Sequence, residues 1–477
     1  MIGRNLDLQL YSLLYSCVWF FEMTLLLPFA SRYFRSENHN GYQDSYQIKK
    51  LDHGILLWFK IITWALAVLF INFDRFRLVA LILLVVANHN QFVRQRWKSL
   101  ARGLGAPGFM LYWCSCALLL LEISNHVDRN AGVILSFVIV IDFGTIMITA
   151  GIYKIGAGYR KGTGIEYGMV NPQWSYFPEQ LRHIPIKIRS VVFRLLNESS
   201  WLLEIFGGAL LVFHISRWLG AVFIAITFVS LVPIIRLGFL CLTVLLCVLI
   251  VSQLDEGPVS SWRALIRAFG DNGSSVASKT VIISVAAYFV MMLFVRGVQL
   301  INVFRHRQVH CLSQSIADRI ANFFGIILWR VFTPDVTAFW IRVEIVESPN
   351  NSETLGAPTM IISNWGKGRF FLVSEAITLT SIFTLPRYFP HNRELFENRL
   401  RRYANSLSVP TDDLVRFVYV EIDKQGSEFA DLETAFFDVD INSGIITSEI
   451  QDRSLIAKPF KNSPVRAGIK LGSYAQR

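Results

Sequence analysis

Two side chains carry the strongest hint of chemistry in this sequence. Lys154 stands at the end of the apolar run Gly132–Ile152, and Glu204 lies one turn into the next apolar segment, Ser200–His214. A lysine at that boundary has two readings. It can anchor a helix end by reaching toward polar surroundings. Alternatively, partial burial disfavours its charged form and leaves a general base. Glu204 is positioned to face back toward the Lys154 loop, as an interhelical partner or as a site residue. Other ionisable groups interrupt apolar runs: Glu22, Lys60, Glu122, Asp142 and Arg236. A charge inside a membrane span costs roughly 2.5–3.5 kcal/mol on insertion scales, so it tends to face a bundle interior or a wet cavity. Lys60 and Glu122 lie near span ends, where snorkelling accounts for them. Asp142 lies about three helical turns before Lys154, too far to touch it along one helix.

The remaining motifs are weaker. His306 and His310 are spaced i, i+4 without further metal ligands, so no metal site is expected. Asn364–Gly368 (NWGKG) is a Gly-bracketed basic turn without P-loop spacing. Arg399, Arg401 and Arg402 form a basic helix face suited to solvent or to anionic headgroups. The six cysteines lie in or beside apolar segments and read as small buried hydrophobes.

The elements that must hold these residues are mostly membrane helices. Of 477 residues, 53% are hydrophobic and 17% charged, and the mean hydropathy is +0.42. A soluble domain is less apolar and more charged. The formal charge of +11 fits basic loops beside anionic lipid. No nucleic-acid motif is present, so the expected partner is the lipid bilayer. A span needs about 20 apolar residues. The candidates are Leu8–Phe29, Ile55–Asn72, Leu78–Ala87, Gly108–Ile123, Gly132–Ile152, Ser200–His214, Leu219–Ile235, Leu237–Leu254 and Val281–Leu300, about eight or nine in all. Leu8–Phe29 is too long for a cleavable signal and reads as a retained first span. Leu219–Leu254 is one kinked helix or two, divided at Pro233 and Arg236.

The expected fold class is mainly α: a polytopic transmembrane helical bundle followed by a small α+β soluble domain. Its divisions are 1–315 for the bundle, 316–332 for an interfacial or last membrane helix, 333–457 for the soluble domain, and 458–477 for a basic tail. Strands are expected at Ala338–Glu347, Pro358–Ser363, Phe370–Ser374, Leu414–Asp423 and Ala435–Ile441. Asn442-Ser443-Gly444 is expected to turn a hairpin into Ile445–Ile450. An amphipathic helix is expected over His391–Leu407. The loops at 88–107 and after Ile152 are basic, which leans both toward the cytoplasm.

Ala150-Gly151-Ile152-Tyr153-Lys154, with Gly162, Glu166-Tyr167 and Trp174, resembles a stretch of the vitamin K-dependent gamma-glutamyl carboxylases. It is also similar to the wider bacterial HTTM family of membrane proteins. The similarity continues through Trp201–Glu204, Gly207-Gly208 and Ile215–Gly220. The resemblance implies that Lys154 is a general base, with Glu204 and His89 (in Asn88-His89-Asn90) as further catalytic residues. It implies a quinol-binding surface at Gly162, Tyr167 and Trp174, and a quinol such as vitamin K hydroquinone as cofactor. The implied location is a bacterial inner membrane. In two respects the sequence departs from the family. The carboxylases have a large lumenal C-terminal region, whereas a compact domain is expected here. Where members carry a histidine, Phe228–Leu231 is apolar but for Ser230. Three functions are therefore expected. The first is a carboxylase-like lyase or monooxygenase acting on a peptide or lipid-soluble substrate. The second is an accessory protein in maturation or export of a secreted peptide. The third is a membrane scaffold whose soluble domain binds a partner.

Overall fold

The computed structural model describes residues 2–26, 54–94, 105–161, 164–270, 276–305, 311–326, 334–346, 359–360, 374–388, 393–405, 407, 414–426, 428–454 and 456. The N-terminal helices are α1 (Ile2–Leu26), α2 (Gly54–Phe70), α3 (Arg77–Asn88, continued by a π-helical turn His89–Arg94), α4 (Gly105–His126) and α5 (Arg129–Gly156). Next come the short helices α6 (Ile165–Val170) and α7 (Pro178–His183). They are followed by α8 (Ile186–Val212), α9 (Arg217–Leu231), α10 (Leu240–Ser252), α11 (Pro258–Gly270), α12 (Val276–Arg305) and α13 (Cys311–Phe324).

Among the described residues, five helices are long and apolar enough to cross a membrane: 108–126, 129–156, 186–212, 214–231 and 278–304. The protein is a multi-pass membrane protein with fewer spans than the eight or nine expected. The shortfall is one of length and dilution. The apolar helices at 58–70, 77–93 and 240–252 are each 17 residues or shorter, below what the hydrocarbon core requires. In α1, Gln9, Glu22 and several serines and tyrosines dilute the apolar run, and residues 27–29 lie outside the described residues. Leu219–Leu254 is two helices. Val232–Phe239 breaks it, with Gly238 at φ +57°, a backbone conformation open chiefly to glycine. The break is held by Arg236 N–H donating to Trp174 O at 2.7 Å.

Burial along α8 shows what kind of solvent surrounds the bundle. Arg189, Phe193, Asn197, Ser200, Glu204, Gly208 and Leu211 are buried at helical spacing, while Val191, Val192, Leu195 and Phe206 are exposed. Polar groups facing in and apolar groups facing out invert the pattern of a soluble helix and match a helix bathed in lipid.

Small residues set how closely the central helices approach. A Cβ on Gly144 of α5 would lie 2.8 Å from Gly208 O, and one on Gly208 of α8 would lie 2.6 Å from Gly144 O. Backbones this close gain dispersion contacts that lipid cannot offer, as small residues do at membrane helix interfaces. At its start, α5 is capped by the Asp128 carboxylate, which accepts from Ala131 N–H at 2.9 Å.

The C-terminal part begins with a single turn, α14 (Pro334–Thr337), and forms an antiparallel sheet. Its strands are β1 (Phe339–Val346), β2 (Thr359–Met360), β3 (Leu414–Gln425), β4 (Glu428–Asp440) and β5 (Ile446–Ile450), in the order β2-β1-β3-β4-β5. Two helices, α15 (Ser374–Tyr388) and α16 (Arg393–Asn405), cover one face. Phe383 and Phe396 pack edge-to-face on Phe437. The β4–β5 turn at 441–445 uses Gly444 at φ +65°. Ser374 opens a helix rather than closing the expected strand; residues 370–373, Asn364–Gly368, His306, His310 and 458–477 lie outside the described residues. The sheet docks on the bundle through Asn171, whose side-chain amide donates to Thr337 O and Phe339 O at 2.8 Å each. Arg182 adds a two-pronged contact to Asp431 at 2.8 and 2.9 Å.

Candidate functional site

Gly151 prepares the site one turn before the lysine. A Cβ there would meet Trp201 O at 2.7 Å and Ile205 Cγ1 at 2.6 Å, so only glycine lets α5 and α8 touch backbone to backbone at that level. The close approach brings the next turn of α5 against Glu204. Lys154 Nζ donates to Glu204 Oε1 at 2.6 Å, and the two side chains are 6% and 4% exposed. Lys154 Nζ lies 5.7 Å from the centre of the Tyr159 ring. Tyr153 is buried with Ala157 and Val303, closing the α12 side. On α8, Glu204 Oε2 is buried and has no hydrogen-bond partner among the described residues, and the same holds for Ser200 Oγ one turn earlier.

Such a pair holds one proton between two groups. Whether the proton is on nitrogen or oxygen, the pair as a whole is neutral, which suits a low-dielectric interior better than either ion alone. The spare acceptor at Oε2 can take a donor or a second proton.

A second carboxylate ties the following loop to this face. Glu166 Oε2 accepts from Gly164 N–H at 3.0 Å and from the Asn197 amide at 2.6 Å. Its Oε1 accepts from Lys424 of β3 at 3.2 Å. Asn197 lies two turns before Glu204 on the same buried face of α8. The Glu166 carboxylate thus joins the loop, the helix bearing Glu204 and the C-terminal sheet.

Lys154 and Glu204 therefore come together. His89 lies elsewhere: its Nε2 is 2.6 Å from Phe323 O of α13, and its ring leans on Tyr112 and Phe323. Tyr167 meets Phe429 of β4 edge-to-face at 5.9 Å, at the joint between bundle and sheet. Trp174 is buried beside the α9–α10 break, where its carbonyl receives Arg236 N–H. Gly162 lies outside the described residues.

Sequence reasoning missed a second buried ion pair. Asp142, near the middle of α5, faces Arg296 of α12, with Oδ1 3.7 Å from Nη2. Arg296 Nη1 also donates to Thr149 Oγ1 at 3.1 Å. The signal was available, because Arg296 falls inside the apolar run Val281–Leu300 and a charge in a span demands a partner.

No family model, no curated protein and no solved structure matches this chain.

Proposed function

We propose that this multi-pass membrane protein is an enzyme that uses the Lys154–Glu204 pair to move a proton to or from a lipid-soluble or peptide substrate. The observation that carries the reading is the 2.6 Å contact between two nearly fully buried side chains at positions where the resemblance to the carboxylases implies a base and an acid. With its proton resting on Glu204, Lys154 is a neutral amine and can accept one from the substrate. The pair then carries one net positive charge beside the anion so formed, which stabilises it in a water-poor site.

The residues present do not match the full set that the resemblance implies for a quinol. Phe228 is a buried apolar side chain where the family would offer a histidine. Lys154→Ala and Glu204→Gln, expressed in the native host, test the reading. Mass spectrometry of secreted peptides and extracted lipids should show one product lost in both variants while the protein remains folded in the membrane. Unchanged profiles from both overturn it.

A second reading is a scaffold whose C-terminal sheet recruits a partner. It is favoured by β5, an edge strand exposed along most of its length; such an edge offers unpaired backbone groups to an incoming strand. In that case Lys154→Ala leaves the product profile intact, and a proline at Ser448 abolishes recruitment.

A further inference from the structure

A cavity of about 330 Å³ lies between α4, α5, α12 and the end of α13, separate from the Lys154–Glu204 pair. That volume is at the small end of ligand sites, which run from about 300 to 1,000 Å³. Its walls are mainly apolar, with Phe109, Leu120, Val138, Ile139 and Ile146 among them. Ser284 of α12 lines it and is itself exposed on the helix flank. The flank belongs to a span, so the cavity opens toward lipid.

One part of the lining is polar. Asp142 Oδ2 accepts from Trp113 Nε1 at 2.9 Å and lies 3.4 Å from Tyr288 OH. Asp142 Oδ1 is buried and makes no hydrogen bond among the described residues; Arg296 Nη2 approaches it at 3.7 Å. Asp142 and Arg296 cancel in charge, so the polar end does not select an ion. It offers a carboxylate acceptor alongside phenol and guanidinium donors. A hydroxyl both donates and accepts, and it matches that set. Keeping two charges inside two spans is costly, and a purely structural contact would be served as well by packed apolar side chains.

We infer that this cavity binds a neutral, lipid-soluble alcohol taken from the bilayer, with its hydroxyl at Asp142 and Arg296 and its hydrocarbon body among the apolar side chains. The site acts independently of the Lys154 chemistry.

The test uses the full-length protein in lipid nanodiscs and 1-dodecanol carrying a photoactivatable diazirine on its chain. Crosslinks are mapped by mass spectrometry. Labelling is expected on the peptides holding Trp113–Leu120 and Tyr288. Unlabelled 1-dodecanol should suppress it at least about tenfold more effectively than dodecane, the preference set by a hydrogen bond to a charged group. Val138→Trp fills the cavity and should abolish the labelling. Asp142→Leu combined with Arg296→Leu removes the polar end without stranding a charge, and should erase the preference for the alcohol over the alkane. The inference is overturned if dodecane competes as well as dodecanol on the wild-type protein, a comparison that needs no variant to fold. It is also overturned if folded Val138→Trp labels like wild type. Loss of product in Lys154→Ala with alcohol labelling intact would leave both this inference and the enzyme reading standing.

Discussion

Removing one or both members of the Lys154–Glu204 pair separates a structural role from a chemical one. Both side chains are almost fully buried and meet at 2.6 Å, so solvent screens the contact very little. Lys154→Met alone strands the Glu204 carboxyl against α5, a defect that costs about 3–5 kcal/mol when a buried pair loses one partner. Part of that cost is avoided if the carboxyl takes up a proton. Glu204→Leu alone strands the lysine at a similar cost. The double variant leaves no charge behind and fills the space with side chains of comparable volume. It should fall between neutrality and a gain of about 1–4 kcal/mol. The cycle therefore predicts strong non-additivity, with the two single losses recovered in the double. The assay is equilibrium unfolding in mixed micelles, followed by far-UV circular dichroism and paired with the product profile from the native host. A single-variant cost below about 1 kcal/mol would refute the buried geometry, since that is the range of exposed pairs. A double variant that is stable and fully functional would refute the proton-transfer role. A stable but inactive double variant is the expected result.

Four further outcomes follow from contacts elsewhere. Gly208→Val should separate α8 from α5, because its Cβ would press on Gly144 O at 2.6 Å; a loss of about 1–3 kcal/mol or more in the same unfolding assay is expected, as for overpacked cores. Asn171→Ala removes the amide that donates to the Thr337 and Phe339 carbonyls. It should cost about 1–3 kcal/mol at the joint, seen as faster hydrogen exchange in β1 while α5 stays protected. Burial pushes the Tyr419 phenol above its usual range, against the opposing pull of Arg387. An unfolded tyrosine ionises near about 10, so this contribution to stability is complete below that pH and is lost as pH rises above it. Tyr419→Phe should flatten the alkaline loss in a stability–pH series. At the β4–β5 turn, hydrogen bonds from Ser443 and from the backbone of Ser443 and Asn442 hold the Asp440 carboxyl below its ordinary value. Ser443→Ala should move it back up in an NMR titration, and the turn's order should then fail at a higher pH as acid is added.

Physical pattern made some of this legible before the structure and concealed the rest. The run Gly132–Ile152 is apolar enough to announce α5, and the span and loop lengths placed Glu204 where it could face Lys154. The hairpin at Asn442-Ser443-Gly444 was readable because glycine at positive φ is a local demand. The short helices were overcounted as spans because apolar content cannot report where a helix ends; that depends on turns such as Val232–Phe239, set by contacts with Trp174. Helix α15 was missed for a different reason. Its SEAITLTSIFTL sequence is rich in β-branched residues, whose local preference is for strands, yet packing over the sheet keeps it helical. His89 shows the limit of motif reading. Its neighbours in sequence suggested a site, but the helix bearing it turns the ring toward Phe323.

The pairing of Asp142 with Arg296 has a consequence for how the chain is made. The arginine is synthesised about 150 residues after the aspartate, which at ~5–20 residues per second takes roughly 10–30 s. For that interval α5 is in the membrane, or waiting at its entry, with a carboxyl that has Trp113 as a donor but no cationic partner yet. Lys154 waits for Glu204 over a third of that length. The order of synthesis lets the α5–α8 contact close before α12 arrives to complete the bundle. Chains truncated before Arg296 should be the ones that the cell's membrane quality control removes.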